Sequence, residues 1–291
     1  MNLIAQTLAD GLVLGGIYAL AAVGFSLIFG VLHVINLSHG ILVLLGGYLA
    51  LIFSTMLHID PLLTMPLVMA VLFVVGYVYQ RWLIQYAVDG SPLGSMLLTF
   101  GVALMLQNIM IWVFSPDMKN ITPGYALTSF RLGPIAFDAV RVSCLAASLV
   151  LLSCLAALLK FSALGRVIRA TAQQRLAARL CGVNVRHVYA LTFAVSAAFA
   201  GAAGIVIGII LPFSPADEGT WTLNAFVVVV LGGVGSPAGA LIGGLLLGIV
   251  STLTAQYIGP SFPNVTMFLL LVLLLLVRPQ GLLGNAFAPS R

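Results

Sequence analysis

The chain has 291 residues, of which 62% are hydrophobic and 7% are charged, and its formal net charge at pH 7 is +5. No soluble fold of this length has enough interior to bury so much apolar surface, so lipid must cover the outside of the protein. The basic residues lie in loops between apolar segments, as the positive-inside rule describes, which does not indicate a nucleic-acid-binding protein.

Apolar segments in chain order predict membrane-spanning helices. Their predicted bounds are 9–32, 36–57, 61–83, 93–114, 139–159, 188–211, 238–258 and 262–277. A further apolar run, 223–231, is too short to cross a bilayer alone. We expect an all-α polytopic membrane protein, a single domain over residues 1–291, with eight or nine passes and with broken or re-entrant helices in its two halves.

One loop, 160–187, carries half of the basic residues and no acidic residue. Its basic residues are Lys160, Arg166, Arg169, Arg175, Arg179 and Arg186. The positive-inside rule places this loop in the cytoplasm. Alternation of the spans then places the N-terminus and the loop 115–138 outside, and the C-terminus in the cytoplasm.

Small residues recur every four positions in several predicted helices. The ladders are Ser196, Ala200, Gly204 and Gly208; Gly11 and Gly15; Gly235, Gly239 and Gly243; and Gly244 and Gly248. Small side chains at this spacing let two helices approach closely in lipid, so we expect close helix–helix contacts there.

Two polar or glycine-rich stretches predict broken helices. One is NLSHG at 36–40, and the other is LGGVGSPAG at 231–239. Non-helical backbone at membrane depth is tolerated only against protein or a water-filled cavity, and paired breaks in two halves are typical of transporter binding regions. Plain interfacial loops are the alternative.

Several polar residues and glycines of these regions are candidates to line a translocation pathway. They are Asn36, Ser38, His39, Thr99, Gly232, Gly233 and Gly235. His39 also fits a structural histidine with its hydrogen bonds satisfied. The acidic residues all fall at or near predicted span ends, which argues against a proton-driven carrier with a carboxylate relay. No histidine and cysteine pair has zinc-ligand spacing.

The order of short motifs along about nine-tenths of the chain resembles the LivH-type permease family of branched-chain amino acid ABC importers. The motifs are DGLVLGGIYAL (10–20), NLSHG (36–40), LGGY (45–48), LTFG (98–101), LQN (106–108), FSPD (114–117), GR (165–166) through AARLCG (177–182), FAVS (193–196), LGGVGS (231–236) and RPQGL (278–282). Each motif alone is weak, but their order is specific for the family and less specific for the substrate.

The resemblance implies one permease subunit of a complex in the bacterial inner membrane. Its partners would be a second, LivM-like permease subunit, two cytoplasmic ATPase subunits and a periplasmic substrate-binding protein. The chain has no GxxxxGK[ST] phosphate loop, so we expect a transport subunit without enzymatic activity or cofactor. Branched-chain amino acids are the expected substrate class. Urea, short amides or aromatic acids are alternatives within the family, and a stand-alone carrier or channel is the alternative from another class.

In such permeases the cytoplasmic loop forms a coupling helix that sits in a groove of the ATPase. Here the resemblance implies one helix from 164 to 180, with Gly182 as its C-terminal cap. The candidate coupling residues are Arg166, Arg169, Ala172, Gln173, Leu176, Ala177, Leu180 and Gly182. Ile168, Ala172, Leu176 and Leu180 would form an apolar stripe. The neutral Gln173 and Gln174 stand where the family often has an acidic residue.

Overall fold

The computed structural model describes residues 2–88, 92–126, 128–132, 135–278 and 280–283, and within them the chain is mostly helical. The helices are α1 (Asn2–Leu32), α2 (His39–Leu57), α3 (Met65–Tyr79), α4 (Gln85–Val88), α5 (Pro92–Phe114), α6 (Ala139–Phe161), α7 (Ala163–Gln173), α8 (Arg175–Leu180), α9 (Val185–Ile210), α10 (Glu218–Gly232), α11 (Pro237–Tyr257) and α12 (Pro263–Val277). Short 3₁₀ turns cover Pro61–Thr64 and Pro215–Asp217, and a π-helical turn, Gln80–Ile84, joins α3 to α4.

Seven helical stretches of the described residues are long and apolar enough to cross a membrane, which confirms a polytopic α-helical membrane protein. Helices α10 and α12 have 15 residues each, or about 22 Å, which is shorter than a hydrocarbon core of about 30 Å. Helix α10 begins at Glu218, before the apolar run 223–231. The apolar run is shorter than the helix because the first residues of the helix include polar ones. The number of passes stays a prediction.

The segment 115–138, expected to be a loop in an all-α chain, contains a β-hairpin. Strands β1 (Ser129–Leu132) and β2 (Ile135–Asp138) pair antiparallel, with Ser129 opposite Asp138. A segment between two apolar helices must find partners for its own N–H and C=O groups, and the hairpin provides them locally.

Contacts between helix ends define two ends of the bundle. At the hairpin end, which carries β1 and β2, an ion pair of 2.5 Å joins Asp10 of α1 to Arg141 of α6. Backbone hydrogen bonds of 2.9 Å in both directions join Lys119 to Phe213 there. The basic end carries α7 and α8, and the Tyr77 hydroxyl lies 3.0 Å from His187 Nδ1 near it. The N-terminal part of α1 and the segment 115–138 therefore share one end, opposite the loop 160–187.

Helix α9 forms the centre of the bundle, and every residue from 192 to 209 is buried. Its small residues meet other helices at close range, which confirms the predicted ladder. A Cβ atom added to Gly204 would lie 1.8 Å from the Val43 carbonyl oxygen of α2. The Ser196 hydroxyl donates to the Gly24 carbonyl of α1 at 2.7 Å.

Helices α1 and α11 pack antiparallel through the predicted small residues Gly11 and Gly15 of α1 and Gly244 and Gly248 of α11. A Cβ atom on Gly15 would lie 2.6 Å from Leu245 Cα, and one on Gly248 would lie 2.3 Å from Gly15 N. Backbones at this distance leave no room for side chains, so the glycines set the separation of the two helices.

Helix α10 begins inside the bundle. After α9 the chain turns back, and the Pro215 carbonyl accepts a hydrogen bond of 3.1 Å from Gln107 Nε2 of α5. The first residue of α10, Glu218, then lies against the start of α2, where a Cβ atom on Gly40 would be 2.1 Å from the Glu218 carbonyl oxygen. Because α2 continues from Gly40 to Leu57, this contact is about 25 Å along α2 from its far end.

We predict that Gly204→Ala lowers the stability of the purified protein by about 1–3 kcal/mol, because the added methyl group must push α2 away from α9. Gly101→Ala on α5 is the matched control, since a Cβ atom there meets nothing within 4 Å. Thermal unfolding in detergent measures both variants. Equal unfolding temperatures for the two variants would contradict the close-contact assignment.

Candidate functional site

The break between α1 and α2 is a buried polar turn. The chain leaves α1 at His33, which has a positive φ of 57°, and Asn36 and Ser38 are 1% and 0% exposed. Asn36 Oδ1 accepts hydrogen bonds from Ser38 N at 3.1 Å and from Ser38 Oγ at 2.6 Å. Asn36 Nδ2 has no hydrogen-bond partner among the described residues. The asparagine therefore caps the turn with one end of its amide and leaves the other end available.

Two neighbouring helices hold this turn from the side. Thr99 Oγ1 of α5 accepts a hydrogen bond of 3.1 Å from Leu37 N, and Ser38 Oγ lies 2.9 Å from the Tyr79 hydroxyl of α3. Thr99 is fully buried and Tyr79 is 7% exposed. Of the predicted pathway residues, the structure thus brings together Asn36, Ser38 and Thr99.

His39, the first residue of α2, is buried against α1. Its Nε2 lies 2.7 Å from the Ala21 carbonyl oxygen, and its ring packs edge-on against Phe25 with centroids 5.4 Å apart. A carbonyl only accepts, so Nε2 carries the proton. Nδ1 has no partner among the described residues. Half of the hydrogen-bonding capacity of His39 is therefore used in holding α2 to α1.

The start of α10 completes the site. Gly40 N donates to Thr222 Oγ1 at 2.8 Å, and Thr222 Oγ1 also lies 3.3 Å from the Leu37 carbonyl oxygen and 3.2 Å from Glu218 Oε1. The sequence predicts Glu218 at or near a span end, and in the structure it is the first residue of α10, with its backbone against Gly40 of α2.

The second predicted break, between α10 and α11, is a tight glycine turn. Gly233 and Gly235 have positive φ angles of 104° and 77°, a conformation that glycine adopts without strain. Gly235 N donates to Ser26 Oγ of α1 at 3.0 Å, and the Ser236 hydroxyl caps α11 by accepting from Gly239 N at 3.0 Å. A Cβ atom on Gly232 would lie 2.0 Å from the Gly239 carbonyl oxygen.

The two breaks both border α1 but lie at different levels. His39 bonds to Ala21 and Gly235 bonds to Ser26, positions about 7.5 Å apart along the α1 axis. The C-terminal segment closes the glycine turn from the other side, because Leu282 N and Leu283 N donate to the carbonyl oxygens of Leu231 and Gly232 at 2.9 and 3.1 Å. Residues 284–291, on which the predicted location of the C-terminus also depends, lie outside the described residues.

The loop 160–187 folds as two helices and not as the single predicted helix 164–180. Gln174 adopts an extended conformation, with φ −149° and ψ 99°, and separates α7 from α8. The Ser162 hydroxyl caps α7 by accepting from Gly165 N at 2.9 Å. Gly182, with φ +83°, ends α8 as predicted, and its N–H donates to the Arg179 carbonyl at 3.0 Å.

The predicted apolar stripe is divided by this break. Ile168 of α7 is fully buried, whereas Leu176 and Leu180 of α8 are 71% and 81% exposed. Arg169 donates to the Leu159 carbonyl oxygen and so fastens α7 to the end of α6. Only the α8 half of the stripe is therefore free to contact a partner.

A groove of about 430 Å³ opens between the two short helices. It is lined by Ala170, Gln173, Gln174, Ala177, Ala178, Cys181 and Val183. Of the predicted coupling residues, Gln173 and Ala177 line this groove, and Leu176 and Leu180 are exposed on α8 outside its lining. The groove results from the break at Gln174, which the sequence analysis missed; Gln173 and Gln174 have no property in the sequence that marks a helix end.

A second cavity, of about 640 Å³, opens at the hairpin end between the end of α2 and the segment 121–125. Asp60 and Tyr125 both line it. Burial raises the pKa of the Tyr125 hydroxyl to about 12, and the nearby Asp60 carboxylate contributes to the shift. Tyr125 is therefore neutral at physiological pH.

Three residues of the first site were missed by the sequence analysis, namely Tyr79, Thr222 and Glu218. Nothing in the linear sequence links Thr222 to Gly40, which are 182 positions apart. The available signal was Gly40 itself, since a glycine in the first turn of an apolar helix indicates a close backbone approach.

Comparisons with known proteins find similarity over nearly the whole chain. The sequence model of a family described as "Branched-chain amino acid transport system / permease component" matches residues 7–278. The chain is 31% identical over 297 residues to the high-affinity branched-chain amino acid transport system permease protein BraD of Pseudomonas aeruginosa, covering 96% of this chain and 95% of that protein. It is 31% identical over 298 residues to the permease protein LivH of Escherichia coli, with the same coverage.

A shorter similarity extends to another permease type. Over 122 residues the chain is 34% identical to the permease protein LivM of Escherichia coli, covering 41% of this chain and 28% of that protein. No solved structure matches the chain.

Proposed function

Because the chain belongs to the family of branched-chain amino acid transport permeases, we propose that it forms the membrane pathway of an ATP-driven importer for branched-chain or related amino acids. The observation that carries the proposal is the extent of the similarity, which covers residues 7–278 for the family and 96% of the chain for the BraD and LivH relatives. In this proposal the chain is a transport subunit of a bacterial inner membrane, and partner ATPase subunits hydrolyse ATP.

The proposed complex contains a second, LivM-like permease subunit, two cytoplasmic ATPase subunits and a periplasmic substrate-binding protein. The partial similarity to LivM supports a shared ancestry of the two permease types. Large apolar side chains are exposed along α5, such as Leu97, Met105 and Trp112 at 62%, 54% and 87%. Lipid or the second permease subunit covers such a surface.

The proposed orientation places the hairpin end outside and the basic end in the cytoplasm. The distribution of arginines supports it, because Arg166, Arg169, Arg175, Arg179 and Arg186 belong to the basic end. The N-terminal part of α1 shares the hairpin end through the Asp10–Arg141 ion pair. Both observations agree with an outside N-terminus.

The groove between α7 and α8 is the proposed contact for an ATPase subunit. Beside this groove, Leu176 and Leu180 of α8 are exposed apolar side chains that can insert into a groove on the ATPase. Exposed Arg166 and Arg179 on either side of the break suit acidic partner groups. The break at Gln174 supports a contact made by two short helices.

The proposed pathway runs beside the polar turn at 36–39. Asn36 Nδ2 supports this role, since it is a buried donor with no partner in the part of the chain that the structure describes, which indicates a place for a polar solute or water. The glycine turn with Gly232, Gly233 and Gly235 is proposed to border the same route nearer the basic end.

Reconstitution of the complete importer tests the function. In proteoliposomes with ATP inside and binding protein outside, we expect leucine, isoleucine or valine to accumulate, because the energy comes from the partner ATPases. Labelled substrate in the lumen is the measurement, and vesicles without ATP are the control. Accumulation of urea, a short amide or an aromatic acid instead would establish the alternative substrate class, and uptake without ATP would contradict the importer.

Cysteine labelling tests the orientation. Ala163→Cys and Thr128→Cys, both at exposed positions, are made in a variant without Cys144, Cys154 and Cys181. We expect a membrane-impermeant maleimide added to intact cells to label position 128 and not position 163, and to label both after lysis. Labelling of position 163 alone in intact cells would invert the topology.

Charge insertion tests the coupling surface. We expect Leu176→Asp or Ala177→Asp to reduce the ATPase stimulation by loaded binding protein by about tenfold, because the partner groove would have to bury a charge without a counter-ion. Ala163→Asp is the matched control, at an exposed position outside the groove where an acid suits the helix N-terminus. Stimulation in Leu176→Asp and Ala177→Asp at the level of the Ala163→Asp control and the wild type would contradict a contact between α8 and the ATPase.

A further inference from the structure

The start of α10 places a carboxylate inside the bundle. Glu218 is the first residue of this helix and is 9% exposed. Its backbone lies against Gly40, and its Oε1 lies 3.2 Å from Thr222 Oγ1. Thr222 in turn binds Gly40 N, the second residue of α2. The carboxylate is thus tied to the polar turn at 36–39.

No cation in the described part of the chain pairs with Glu218. The ion pairs found there join Arg141 to Asp10 and to Asp138, at the hairpin end. A carboxylate buried in an apolar bundle without a counter-ion is costly, and acidic groups at such positions in membrane proteins are typically functional. The neighbouring Asp217 differs, because its Oδ2 accepts from Ser214 N at 2.8 Å and from Ser214 Oγ at 3.0 Å and so closes a local turn.

The turn that carries Glu218 is open on one side. The next two residues, Gly219 and Thr220, are exposed, and a Cβ atom on Gly219 would meet nothing within 4 Å. This opening adjoins the α1–α2 break, because the backbone of Glu218 lies against Gly40. A solute can therefore approach the first turn of α10 at Gly219 without displacing a side chain of the described residues.

We propose that the Glu218 carboxylate binds the ammonium group of the transported amino acid as it passes the break between α1 and α2. The inference rests on the proposed function and names the chemical group of the substrate that this chain recognises. Thr222 positions the carboxylate through its hydroxyl. The first N–H groups of α10, which lack intrahelical acceptors, suit the carboxylate of the same zwitterionic solute.

A purely structural role makes a different prediction for the neutral variant. Glu218→Gln keeps the size of the side chain and an oxygen that accepts from Thr222, and it removes only the charge. A structural glutamate therefore tolerates the change, whereas an ammonium-binding glutamate does not. Asp217→Asn is the matched control, because it neutralises the adjacent acidic residue, which binds Ser214.

The test measures initial leucine uptake by the complete reconstituted importer. We expect Glu218→Gln to reduce the rate by about tenfold or more with the complex still assembled, since a charge-assisted hydrogen bond to the substrate is lost. Asp217→Asn is expected to stay within about twofold of the wild type, because the Asp217 carboxylate is engaged by Ser214 in a local turn and asparagine keeps an oxygen that accepts from Ser214 N. Uptake by Glu218→Gln at the control rate would overturn the proposal and leave the proposed function intact, whereas a wild type that carries no amino acid would overturn the proposed function itself.

A second variant tests access independently of the carboxylate. Gly219→Val adds a branched side chain on the open side of the turn, where a Cβ atom meets nothing within 4 Å among the described residues. We expect it to block leucine uptake while the complex assembles. Gly101→Val, at a position on α5 with equally free space, is the control and is expected to retain uptake. Normal uptake by Gly219→Val would overturn the proposal even where Glu218→Gln fails to assemble.

Discussion

Each backbone N–H and C=O group of a chain surrounded by hydrocarbon needs a hydrogen-bond partner within the protein. Helices that stop inside the bundle leave backbone groups at their ends without intrahelical partners, so other parts of the protein must bind them. At the α1–α2 break, side chains from α5 and α10 meet it: Thr99 accepts from Leu37 N, and Thr222 accepts from Gly40 N. At the α10–α11 break, Ser26 of α1 accepts from Gly235 N. Partner side chains on other helices therefore hold both breaks, and moving one of those helices changes the hydrogen bonds of the break.

Small residues supply the rigid part of the molecule. Helix α9 packs its glycines and alanines against α1, α2 and α3, and α1 packs against α11 in the same manner. Contacts between backbones leave few side-chain rotamers to adjust, so these helices act as one scaffold. Helix α8 leads through Gly182 into α9. A partner bound at the α7–α8 groove thus lies one short turn away from the central helix of that scaffold.

The few acidic residues have distinct environments. Asp10 and Asp138 pair with Arg141, Asp60 accepts from Leu62 N at a 3₁₀ turn, and Asp217 accepts from Ser214 N. Each of these has a charged or backbone N–H partner, namely Arg141, Leu62 N or Ser214 N. The Glu218 carboxylate has the Thr222 hydroxyl as its one hydrogen-bond partner among the described residues, and it lies beside the pathway candidates. That contrast within one chain is the physical basis for assigning it a substrate group.

The sequence by itself determined the membrane class, the positions of the long apolar helices and the small-residue contacts, because hydropathy and residue size act locally and leave a readable pattern. It also located the breaks at 36–40 and 231–239, since glycine, proline and polar residues interrupt apolar helices. Only the tertiary structure decided that Gln174 divides the segment 163–180 into two helices, that Tyr79 and Thr222 bind the first break, and that α10 begins beside Gly40. Those outcomes depend on hydrogen bonds between residues far apart in the chain, such as Gly40 and Thr222, and no local pattern encodes which distant side chain will satisfy a given backbone group.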